Sequence, residues 1–128
     1  MSEKNERQRQ YRLRTQNGCT KKYEKTPSGF LMRAYRNMQS RIEGVQWRKA
    51  HLYGGKPLLP REEFYEWSKA SAAFWFLFHE WEKSGYNRRL SPSIDRIDPD
   101  GGYEIENMQW VPFYVNCARS RRHRRERA

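Results

Sequence analysis

The sequence predicts an α+β domain: a helical N-terminal half packed on a C-terminal strand–loop–strand–helix unit, with basic segments at both termini. Three observations predict it. Apolar residues recur at helical spacing between Thr26 and Gly85. After Gly85 the pattern changes to alternating apolar and polar residues, as a strand requires. The charge excess of this 128-residue, +11 chain is concentrated at its two ends.

Each element has its own signal. Residues 1–25 lack apolar periodicity and read as a basic, mobile arm with a short helix around Arg7–Arg14. Thr26-Pro27 is a helix start, because Thr caps and Pro suits the first turn. Leu31, Tyr35, Met38 and Ile42 then form one apolar stripe, and Gly44 is a stop. Arg33, Arg36 and Arg41 lie off that stripe and face solvent or phosphate. Tyr53-Gly54-Gly55-Lys56-Pro57 is a turn. Pro60 opens a second helix, with Glu62 and Glu63 where the helix dipole favours acids. Phe64, Trp67 and Ser71 mark its inner face. Phe74, Trp75, Leu77, Phe78 and Trp81 continue an apolar face that Gly85 ends. Ser93 to Asp98 and Met108 to Val111 read as strands around a Pro99-Asp100-Gly101-Gly102 loop, and Phe113 to Arg125 as a helix. The predicted organisation is therefore an arm over 1–25, a helical subdomain over 26–90, a strand–strand–helix unit over 91–122 and an Arg-rich tail over 123–128. Residues 26–122 form one compact domain.

Composition narrows the function. The apolar fraction is 36% and aromatics make up 15%, so the core is small and built from rings. No apolar run approaches the ~20 residues of a membrane helix, and residues 1–14 have no signal-peptide core, so no membrane partner is expected. Cys19 and Cys117 read as reduced thiols, with a long-range bridge as the alternative. With His51, His79 and His123 they match no zinc spacing, so no zinc site is expected.

Residues 1–27 carry a net +5, residues 117–128 another +5, and the middle only +1. Such ends suit a polyanion. Arg forks bind phosphate bidentately, which favours nucleic acid over a generic anion. The candidate contacts are Arg119, Arg121, Arg122, Arg124 and Arg125 in the tail, and Arg12, Arg14, Lys21 and Lys22 in the arm.

The run Ser93-Ile94-Asp95-Arg96-Ile97-Asp98, then Gly102-Tyr103, Glu106-Asn107-Met108-Gln109-Trp110-Val111 and Asn116, resembles the ββα-metal finger of HNH endonucleases. It is most similar to the phage-borne branch with D-R-I-D, G-Y, E-N-x-x-W and N. Two upstream segments, the helix near Thr26 and Leu59 to Phe64, also resemble that branch. The resemblance implies a divalent-metal-dependent DNA endonuclease or nickase acting on double-stranded DNA. It implies Asp95 and Asn116 as ligands to Mg²⁺ or Mn²⁺, and Asn107 as the residue that ties the loop. It also implies a phage or prophage protein in bacterial cytoplasm.

The usual general-base His position is Arg96, a substitution this branch commonly shows. Arg stays protonated and cannot accept a proton near pH 7, although it can clamp a phosphate. The candidate bases are then Asp98, expected two residues along the same strand face, and His51, ahead of the Gly54-Gly55 turn. His79 reads as a packed or rim residue and His123 as a phosphate contact. Two alternatives stay open: a catalytically inactive DNA-binding module on this scaffold, or a phage accessory factor that binds RNA or a host protein.

Overall fold

The computed structural model describes residues 5–10, 18–44, 53 and 55–119. The chain clusters into two compact units that divide between Arg33 and Ala34. In the first unit, residues 5–10 are helical and exposed. Helix α1 spans Gly18–Glu24. Helix α2, Pro27–Ile42, begins in this unit and continues into the second. Thr26 stands before α2, where its hydroxyl oxygen accepts the Gly29 N–H at 3.1 Å and donates to the Tyr23 carbonyl at 2.6 Å. One side chain thus satisfies an orphan donor of α2 and gives the Tyr23 carbonyl of α1 a second bond beside that from the Thr26 N–H. Arg33 pairs with Glu24.

The second unit contains helix α3, Arg61–Lys69, helix α4, Ala72–Lys83, and strands β1, Pro92–Arg96, and β2, Met108–Pro112. Residues 113–119 form a final helix, α5. The strands are antiparallel, with Ile94 opposite Trp110 and Asp95 opposite Gln109. The fold is mixed helix and small two-stranded sheet, which agrees with the α+β class.

The sequence reads a single helix from Pro60 to Gly85 with Ser71 on its inner face. The structure divides it. Ser71 is extended at φ −86°, ψ 117°, and its hydroxyl accepts the Phe74 N–H as the N-cap of α4. Serine competes with helical backbone bonds and favours such caps, which is why the break falls there. The buried serine is Ser68, one turn earlier.

At the other end of α4, Gly85 takes φ 75°, and the Tyr86 and Gly85 N–H groups close back on the Trp81 and Glu82 carbonyls. The Tyr86 ring packs edge-on against Trp81 at 4.9 Å. This is a Schellman stop, and glycine supplies its left-handed residue without a Cβ penalty.

The core of the second unit is aromatic. Trp110 lies 4.9 Å from Phe74 and 6.1 Å from Phe64, with Trp67 stacked on it at 6.1 Å. Tyr35 and Met38 of α2 are buried too, and the Tyr35 hydroxyl donates to the Leu59 carbonyl at 2.8 Å. The predicted apolar Leu58-Leu59 pair forms a short parallel bridge with Tyr103. Arg41 does not face solvent as predicted for a residue off the stripe. Its guanidinium donates to the buried Tyr103 hydroxyl at 3.2 Å. Burial pushes that hydroxyl above its ordinary pKa, while the Arg41 charge opposes the rise.

Trp110 carries the packing between β2 and the helices. Trp110→Ala is expected to cost about 3–5 kcal/mol in urea unfolding. A loss below about 1 kcal/mol would contradict its place at the centre of the core.

Candidate functional site

The site is built on the face of β1 turned away from Trp110. Strand alternation places Ser93 and Asp95 together on that face. Asp95 is 6% exposed, a rare burial for a carboxylate. Register sets it opposite Gln109, whose Nε2 donates to Asp95 Oδ2 at 2.8 Å. Helix α5 supplies the remaining groups. Asn116 Nδ2 donates to Ser93 Oγ at 2.7 Å and to the Ile94 carbonyl at 3.1 Å. Arg119, one turn further, forms an ion pair with Asp95, its Nη1 2.8 Å from Oδ2. The i, i+3 spacing puts Asn116 and Arg119 on one helical face. Asp95 and Asn116 are therefore neighbours across β1 and α5.

The Gln109 hydrogen bond and the Arg119 ion pair both fall on Asp95 Oδ2, and both bonds of Asn116 are donated by Nδ2. Asp95 Oδ1 and Asn116 Oδ1 make no protein hydrogen bond among the described residues. One carboxylate and one amide oxygen are hard donors of the kind Mg²⁺ and Mn²⁺ prefer. No group of three or more His, Cys, Asp or Glu side chains that could hold a metal occurs among the described residues.

Arg96 is not brought to this face. It leaves β1 on the side of Ile94, and its guanidinium lies 4.1 Å above the Tyr53 ring and 5.7 Å from that of Tyr103. Its Nη1 donates to the Gly101 carbonyl at 3.0 Å. Tyr53 and Tyr103 are themselves stacked, 6° from parallel. The arginine is held by cation–π contact and a loop carbonyl.

Asp98 also departs from the sequence reading, which extends the strand through it. The strand ends at Arg96, and Asp98 is exposed in the following turn. The cause is Asn107. Its Oδ1 accepts the Asp98 N–H at 2.8 Å, and its Nδ2 donates to the Asp98 and Gly102 carbonyls at 3.0 and 2.9 Å. One amide thus takes the backbone bonds that a strand ladder would need. Asp98 Oδ1 in turn accepts the Asp100 N–H at 2.9 Å, an Asx-type turn. Gly101 leaves room for the tether, since a Cβ there would lie 2.7 Å from Asn107 Nδ2.

The other candidates are dispersed. His79 is exposed on α4 and pairs with Glu82 at 3.2 Å. Lys21 and Lys22 are exposed in the last turn of α1. His51, Arg12, Arg14, Arg121, Arg122, His123, Arg124 and Arg125 lie outside the described residues. Cys117 is a free, half-buried thiol.

Sequence reasoning missed several contributors. Gln109 and Ser93 had no motif signal beyond strand alternation. Arg119 is grouped by sequence with the tail arginines but forms an ion pair with Asp95. Arg88 and Arg89 were not singled out. They are exposed and lie 5.1 and 5.9 Å over the Phe113 and Tyr114 rings. No helix among the described residues is long and apolar enough to cross a membrane.

Comparison with protein-family models, curated proteins and solved structures finds no match to this chain.

Asn107→Ala removes all three tether bonds and leaves part-buried backbone groups to find water. It is expected to lower stability by about 1–3 kcal/mol in urea unfolding. Hydrogen exchange at the Asp98 amide should accelerate together with it. Unchanged protection at that amide would contradict the tether.

Proposed function

We propose that this chain is a DNA-binding protein with a divalent-metal-dependent phosphodiesterase site of the HNH type. The observation that carries the reading is the convergence of Asp95 and Asn116 across β1 and α5, each with one oxygen that makes no hydrogen bond among the described residues. The net charge of +11, concentrated at the ends of the chain, supports a polyanionic substrate.

In this reading Asp95 and Asn116 would hold Mg²⁺ or Mn²⁺, which supplies Lewis acidity to a phosphate when bound. Ser93 holds the Asn116 amide by its nitrogen, which turns Oδ1 away from the strand. Gln109 fixes the Asp95 rotamer through Oδ2. Asn107 sets the loop after β1. Arg96 cannot take the proton of an attacking water. Asp98, exposed and with its Oδ1 accepting in the turn, and His51 are the candidate bases. Arg88 and Arg89 add exposed cations beside aromatic rings, a combination suited to nucleic-acid contact.

A second reading, a DNA-binding module without catalysis, draws on a specific observation. The residue at the general-base position is an arginine held by Tyr53 and the Gly101 carbonyl.

A supercoiled-plasmid assay separates the two readings. Wild type is expected to nick with Mg²⁺ or Mn²⁺ and not with EDTA, and Asp95→Ala and Asn116→Ala are each expected to lose at least about a hundredfold in rate. No nicking with any metal, together with retained DNA binding, overturns the catalytic reading and leaves the second.

Binding itself has a separate check. Reversing charge in Arg88→Glu with Arg89→Glu should weaken duplex binding and flatten the log–log salt slope by about 2. An unchanged slope would remove this pair from the interface.

A further inference from the structure

Asp95 is buried, and a carboxylate buried there needs a compensating cation. Arg119 supplies it in this structure at 2.8 Å. The two partners are unequally free: the Asp95 side chain is 8% exposed and the Arg119 side chain 41%. The carboxylate is held by β1 and Gln109, whereas the guanidinium is partly exposed to solvent. A divalent ion on Asp95 would meet the Arg119 charge as a like charge at close range, so the two compete.

We propose that Arg119 is the built-in counter-cation of Asp95 and sets the affinity of this carboxylate for divalent cations. This inference rests on the metal-site reading above. It adds a coupling. A guanidinium that leaves Asp95 remains on the α5 face beside Asn116, where a phosphate can take it up by charge-assisted hydrogen bonds. Nucleic acid that draws Arg119 away then raises cation affinity, and by linkage the cation raises affinity for nucleic acid. The site loads fully only when both are present.

The test uses the full chain and Mn²⁺ alone, with affinity read by calorimetry and by the loss of the free-ion electron paramagnetic resonance signal. Arg119→Gln is expected to bind Mn²⁺ about tenfold more tightly than wild type, and Asp95→Asn to lose binding. A mixed-sequence duplex should tighten Mn²⁺ binding to wild type several-fold and to Arg119→Gln by less than twofold. Thermal melting adds a readout independent of activity. Arg119→Gln should melt lower than wild type without metal and gain more from added Mn²⁺. Arg119→Lys keeps a cation without the planar fork, so its Mn²⁺ affinity should fall between the two, and it serves if the glutamine variant does not fold. Equal or weaker Mn²⁺ binding by both Arg119 variants, with binding still lost in Asp95→Asn, overturns the counter-cation role and leaves the metal site standing. No Mn²⁺ binding by any form, with or without duplex, overturns both.

Discussion

Burial of Trp110 is the constraint on which the rest of the second unit depends. The indole packs against Phe64, Trp67 and Phe74, and so fixes which face of β2 turns toward the helices. A strand has a period of two, so Gln109 must then face the other way. The register carries Asp95 with it. The carboxylate is thus placed by the position of an aromatic ring on the next strand, before any catalytic requirement enters. Slipping the register by one residue would exchange the core and site faces together.

A second constraint is backbone satisfaction in the loop between the strands. The Asn107 amide closes on both the N–H and the C=O of Asp98, and on the Gly102 carbonyl. One side chain that bonds three peptide groups of the loop, the Gly102 carbonyl among them part-buried, sets the turn that follows β1. That tether accounts for one departure from strand reasoning, the place of Asp98 in a turn.

Electrostatics operates at two scales. The net charge of the chain lies at its ends and acts over a Debye length, about 8 Å at physiological salt, on whatever polyanion approaches. Asp95 belongs to the other scale. Its charge is shielded from water, so its balance is set by single contacts with Arg119 and Gln109.

The local elements were legible in the sequence because they depend on neighbours along the chain. Thr26 before Pro27, the apolar stripe through Leu31, Tyr35 and Met38, Gly85 at a helix stop, and alternation in the two strands all express short-range backbone and side-chain preferences. The adjacency of Asp95, Asn107 and Asn116 in function followed only from the resemblance of their motif. Tertiary structure decided what each of them touches. That Arg41 turns inward to Tyr103 and that Arg119 pairs with Asp95 are outcomes of packing and charge compensation between distant segments. A sequence shows that an arginine is charged. Which buried carboxylate it must neutralise is settled only when folding has removed that carboxylate from water.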